Sequence, residues 1–211
     1  MNVDRVSRGA WAALVAAIAG GVALVTIALF FTVGGPFGTI NDAVLIALVL
    51  ALPSVMLAHD ELGGVVPLWP ARLSLAGGIA AALGWAILHG AFIVRIVDFD
   101  DARPATGAFV VSNLLQAGVG LWIAGASLLA GSWLPTLVRV LGIVAGLGTV
   151  LLSVGLLLGG MSHPLTIAGG PGYQLVLPVW AYLLSRVFRA RADAARTSTA
   201  TTEGAPALST T

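Results

Sequence analysis

Long stretches without a formal charge constrain this chain more than any other feature. No Asp, Glu, Lys or Arg occurs in residues 9–41, 43–59, 73–94, 104–138 or 140–185. Only 9% of the 211 residues are charged, against about a quarter in a soluble domain. The mean hydropathy is +1.01. Such a chain is expected to sit in a lipid bilayer, as an all-α polytopic membrane protein.

A spanning helix needs about 20 apolar residues at 1.5 Å rise each. The first four charge-free windows each hold one. The fifth is too long for one helix and carries its own breaker, Gly159-Gly160-Met161-Ser162-His163-Pro164, so it is read as two. Six transmembrane helices are expected, over residues 11–33, 40–58, 73–94, 107–129, 137–158 and 167–187. The first apolar run is too long for the core of a signal peptide and has no clear cleavage site. Residues 192–211 are rich in Ala, Thr and Ser without apolar periodicity, and are expected to form a disordered cytoplasmic tail.

The few charges indicate orientation. Arg5, Arg8, Arg72, Arg139, Arg186, Arg189, Arg191 and Arg196 fall on one side of a six-helix topology, and Arg95 and Arg103 on the other. The positive-inside rule places both termini in the cytoplasm. Trp11, Trp69 and Trp133 fall near the same interface, where indole rings anchor well. On helix 5, the pairs Gly142/Gly146 and Gly155/Gly159 lie on different faces, so this helix is expected to touch neighbours on two sides and to be central.

Composition removes whole classes of chemistry. All ten basic residues are Arg and cysteine is absent. A lysine nucleophile, disulfides, thiolate catalysis and Cys-ligated metal are therefore excluded. No basic surface exists to follow a phosphate backbone, so nucleic acid is not expected as a partner. No H-E-x-x-H, G-x-S-x-G or phosphate-loop pattern occurs in a credible context. No metal or cofactor is expected. Arg without Lys, with abundant Ala, Gly and Val, has the look of a GC-rich bacterial genome, which points to a bacterial plasma membrane.

Polar residues inside the spans are the remaining lead, because such groups are costly in lipid and tend to face the bundle interior. His89, Asn113, Gln116, Asp42 and Tyr173 all fall in the half of the bundle away from the Arg-rich ends. They are expected to line one polar pocket opening to the outer face. Each also has a purely structural reading. Thr39-Ile40-Asn41-Asp42 fits the T-x-x-[DE] capping pattern. Asn113 and Gln116 share a helix face and could bond a neighbouring helix. His89 could be a neutral imidazole bonded nearby, or pair with His163 on a metal. His59 is expected at the opposite side of the membrane. The loop Arg95, Asp98, Asp100, Asp101, Arg103 reads as solvated local ion pairs. Pro53 and Pro178 are expected to kink their helices.

Three stretches carry a resemblance: Gly35-Pro36-Phe37-Gly38-Thr39-Ile40-Asn41-Asp42, Ser162-His163-Pro164-Leu165-Thr166-Ile167-Ala168-Gly169-Gly170 and Leu177-Pro178-Val179-Trp180. With them, the chain resembles uncharacterised six-helix bacterial integral membrane proteins of the domain-of-unknown-function type. The resemblance implies six helices and a bacterial inner membrane; it implies no activity.

Three functions compete on the sequence alone. The first is a non-catalytic membrane component that binds a partner, a lipid or a second copy of itself. The second is a transporter or channel for a small neutral solute. The third is an intramembrane enzyme using His89 as base. Convergence of His89, Asn113 and Gln116 on one cavity would favour the second and third.

Overall fold

The computed structural model describes residues 1–63, 69–94 and 107–203. Seven helices form six rods: α1 (Val3–Val33), α2 (Phe37–Leu62), α3 (Trp69–Ile93), α4 (Gly107–Leu129), α5 (Thr136–Gly159), and a broken sixth rod of α6 (Pro164–Pro171) and α7 (Leu177–Glu203). Helices α1 to α5 are each long and apolar enough to cross a membrane. No strand occurs among the described residues.

Each rod packs on its neighbours in sequence, and α1 closes the series by packing on α7. The bundle is therefore a ring, and α5 is not central as expected. It does have two working faces. Gly146 meets Gly120 and Ala124 of α4, and Gly155 meets Thr166 of α6.

The surface is inverted relative to a soluble protein. On α1 the buried positions are small: Gly9, Ala10, Ala13, Ala16, Ala19, Gly20 and Ala23. The exposed ones are Trp11, Val15, Ile18, Val22 and Val25. Water would penalise that face, while lipid accepts it and leaves van der Waals packing between small residues to hold helices together. The ring interior is filled largely by aromatics. Trp85, Trp122 and Trp180 are 2%, 7% and 1% exposed. His59 of α2 reaches across to Trp122 of α4, with ring centroids 5.6 Å apart.

The sixth rod departs from a plain helix. Gly172–Val176 form a π turn, in which Leu177 N–H donates to Gly172 O. Pro171 stands just before this widened turn and Pro178 just after it. A proline lacks the N–H of a regular turn and crowds the carbonyl four residues back, which a π turn relieves. The break also presents Gly172 to α5. A Cβ on Gly148 would lie 2.6 Å from Gly172 Cα, and one on Gly172 would lie 2.8 Å from Gly148 Cα. Only paired glycines permit that approach.

Several boundaries move outward from those expected. Helix α1 begins at Val3, where the Asn2 side chain accepts from Arg5 N–H at 3.0 Å. Arg5 is then held by Glu61 of α2 at 3.1 Å. Apolar runs mark the bilayer-crossing part of a helix, and these charges extend it beyond that part. The tail expected from residue 192 is instead helical through Glu203. Ala192 is 1% exposed and Arg191 donates to Trp133 O at 3.0 Å, so packing continues past the apolar span. Trp133 is not a lipid-facing anchor: it stacks on Phe188, centroids 6.3 Å apart, and lies edge-on to His59 at 4.8 Å. Trp11 does face outward, 61% exposed. The Trp69 side chain and the Arg95–Arg103 loop lie outside the described residues.

Gly148→Ala should therefore cost roughly 1–3 kcal/mol by overpacking. Gly77→Ala, where a Cβ meets nothing within 4 Å, should be neutral or mildly stabilising. Thermal melts in one detergent compare them; equal melting temperatures would contradict the glycine seam.

Candidate functional site

Cavity at the end of the ring away from the Arg-rich termini. A cavity of about 200 Å³ is lined from every rod: Ile27 of α1, Leu45 of α2, Trp85 and His89 of α3, Phe109, Ser112, Asn113 and Gln116 of α4, Leu152 and Leu156 of α5, and Met161, Tyr173 and Gln174 around the sixth. Of the residues singled out in sequence, His89, Asn113, Gln116 and Tyr173 are thus brought together. All four are buried, at 7%, 4%, 7% and 6% exposure.

Helical spacing explains the grouping. Ser112, Asn113 and Gln116 fall at i, i+1 and i+4 on α4, one face turned inward. Trp85 and His89 are i and i+4 on α3, with ring centroids 5.4 Å apart. Tyr173 and Gln174 sit on the π turn, which changes the angular register of the rod and delivers both toward the interior.

Asp42 is not among the lining residues but stands next to one of them. Its Oδ1 lies 3.5 Å from His89 Nδ1. The capping role expected for it does not occur. Helix α2 starts at Phe37 with Pro36 as N-cap and no side-chain cap bond, so Asp42 is already in the second turn and is available to α3. The neighbouring Asn41 accepts from Thr26 Oγ1 of α1 at 3.3 Å. Asn113 does not bond a neighbouring helix: its Nδ2 donates to Phe109 O of its own helix at 2.9 Å. That leaves the amide oxygen as an acceptor.

His163 does not join His89. Its Nδ1 accepts from Leu165 N–H at 3.3 Å as the N-cap of α6. His59 lies at the other end of the ring, buried against Trp122 and Trp133. That half of the bundle also holds Ser127 and Ser185 at 0% and 2% exposure.

Trp85 was not singled out in sequence. Its spacing of four residues before His89 is the signal that could have found it. Trp85 and Tyr173 face each other across the ring, centroids 6.4 Å apart. Neither Trp85 Nε1 nor Tyr173 Oη has a hydrogen-bond partner among the described residues. A buried polar group without a partner costs about 1–3 kcal/mol.

No family model matches the chain, and no curated protein and no solved structure matches it. Fold and site together define a polytopic all-α membrane protein with a largely apolar cavity between its helices that carries a few polar groups.

Tyr173→Phe removes only the unpartnered hydroxyl. It should leave the melting temperature unchanged or raise it. A loss of more than about 1 kcal/mol would show that the hydroxyl is a structural hydrogen-bonding group.

Proposed function

We propose that the protein is a membrane carrier for a small amphipathic solute, which it binds in the cavity between its six rods. The observation that carries this reading is the convergence of His89, Asn113, Gln116 and Tyr173 on one cavity. The lining offers imidazole, amide and hydroxyl groups from α3, α4 and the sixth rod, set among Ile27, Leu45, Leu152, Leu156 and Met161. Ligand sites commonly combine an apolar lining with a few polar groups that fix orientation. A component that only bound a partner through its outer face would have no use for buried amides at this cost.

The proposed setting is a bacterial plasma membrane, with the Arg-rich ends in the cytoplasm and the cavity toward the outer face. The broken sixth rod fits a carrier, because interrupted helices in transporters sit beside their binding sites. A second reading, an intramembrane enzyme, is favoured by one observation: the Asp42 carboxylate lies 3.5 Å from His89 Nδ1. A carboxylate in that position orients an imidazole as a general base.

The chain contains no cysteine, so single-cysteine variants report without background. Ser112→Cys, in the cavity wall, should react in liposomes with a small membrane-impermeant thiol reagent added on the side opposite the Arg-rich ends. Leu114→Cys, two residues on and 57% exposed toward lipid, should not. If Ser112→Cys is as inert as Leu114→Cys, the cavity is closed to the aqueous phase and the carrier reading fails.

A further inference from the structure

The Arg-rich end carries a second feature, unrelated to the cavity. Where α1 packs on α7, Trp11 of α1 meets Arg189 of α7 on the outer surface, with Arg8 one turn away on α1 and Arg186 and Tyr182 one and two turns away on α7. The Arg189 guanidinium lies over the Trp11 ring, 5.1 Å from its centroid. Arg186 Nη1 donates to Tyr182 Oη at 3.2 Å. Trp11 and Tyr182 are 61% and 44% exposed, and all three arginines are exposed as well.

No arginine of this patch forms a direct ion pair among the described residues, although Asp4 and Asp193 lie one turn from Arg8 and Arg189. Among the described residues, arginine pairs with carboxylate at Arg5–Glu61 and Arg196–Asp193. Arg8, Arg186 and Arg189 have no such partner. Arg8 spends one N–H on the backbone carbonyl of Asp4, at 3.4 Å. Stacking on an indole and bonding a phenol both hold a guanidinium in place while leaving most of its donors free.

Position decides what fits. Tyr182, Arg186 and Arg189 fall at i, i+4 and i+7, one face of α7 spanning about 10 Å along the axis. Immediately toward the bilayer centre the same outer surface turns apolar, with Val15, Ile18 and Val179 exposed. Arginines flanked by Trp and Tyr at the edge of an apolar band lie at headgroup depth, a layer roughly 5–8 Å thick on each side. A ligand here would offer an anion to the guanidinia and hydrocarbon to the valines and isoleucine.

We propose that this patch is a binding site for one anionic phospholipid, its phosphate held by Arg186 and Arg189 with Arg8 at the rim, and its acyl chains along α1 and α7. Guanidinium–phosphate contacts are charge-assisted and directional, and each arginine near an anionic surface contributes about 1 kcal/mol. The lipid would brace the α1–α7 seam, the contact that closes the ring.

The test uses the full chain reconstituted in phosphatidylcholine nanodiscs containing a minority of phosphatidylglycerol, released into native mass spectrometry. The wild type should retain one phosphatidylglycerol in preference to phosphatidylcholine. Arg186→Gln/Arg189→Gln should lower that preference roughly thirtyfold. The pair Arg191→Gln/Arg196→Gln, equal in charge but off the patch, should lower it far less. Inorganic phosphate at millimolar concentration should not displace the lipid; displacement would mean an anion site without lipid specificity and would overturn the proposal. Equal retention of both lipids by the wild type would overturn it, as would equal effects of the two double variants. Should the patch variant fail to fold, Arg186→Lys/Arg189→Lys keeps the charge and should still lower retention by losing the planar fork.

Discussion

Close backbone approach through glycine holds the ring together, and one such contact, Gly148 of α5 against Gly172 in the π turn of the sixth rod, positions the cavity wall. In lipid, helices gain nothing from burying apolar side chains against one another, so they associate through contact area and short separation. Gly146 against Gly120 and Gly155 against Thr166 supply such a short separation, as does Gly148 against Gly172. That contact fixes where the π turn sits, and the π turn in turn points Tyr173 and Gln174 at the cavity. On the far side of the same rod, Gly20 of α1 makes room for the Pro178 ring, where an added Cβ would lie 2.7 Å from Pro178 Cγ. The ring therefore closes through small residues placed on both flanks of its broken member.

The interior follows from the same constraint. Six rods in a ring leave a centre that small residues cannot fill, and three tryptophans with Tyr173, His59 and Phe188 occupy it. At the Arg-rich end Trp133 lies against His59 and Phe188, and an open cleft of about 380 Å³ remains beside it, bordered by Glu61, Leu62 and Arg191. At the other end Trp85 and Tyr173 lean on each other and leave a cavity of about 200 Å³. Amides on α4 and the imidazole on α3 face that space. A largely apolar cavity carrying a few convergent polar groups inside a membrane bundle is the physical core of the functional proposal.

Much of this was legible in sequence because lipid imposes simple rules. The existence of α4, Gly107–Leu129, was legible because it lies inside the charge-free window of residues 104–138. His89, Asn113 and Gln116 could be grouped because any polar side chain in a span has few places to go. What could not be read depended on contacts between distant segments. Asp42 matched a local capping pattern, but Pro36 starts the helix earlier and frees the carboxylate for His89. Trp133 looked like an interface anchor, but the short turn after α4 directs it onto Phe188. The extension of α7 past residue 191 has no hydropathy signal, because it is held by Ala192 packing and by Arg191 bonding Trp133 O. Trp85 was hidden for the opposite reason: an aromatic in an apolar span looks like core until its indole N–H is found without a partner.

The central claim is a ring that turns the few polar side chains of its spans inward and an apolar face outward, and α4 offers the most direct test. Leu114, Leu121 and Leu128, seven residues apart, are 57%, 61% and 59% exposed, whereas Asn113, Gln116, Gly120, Ile123 and Ser127 face inward. Spin labels placed one at a time along α4 in liposomes would report collision with oxygen, which concentrates in the bilayer. The account predicts oxygen accessibility maxima at 114, 121 and 128 and minima at 113, 116 and 127. Maxima at the Asn113 and Gln116 positions would contradict it, because they would turn the polar face of α4 to the lipid.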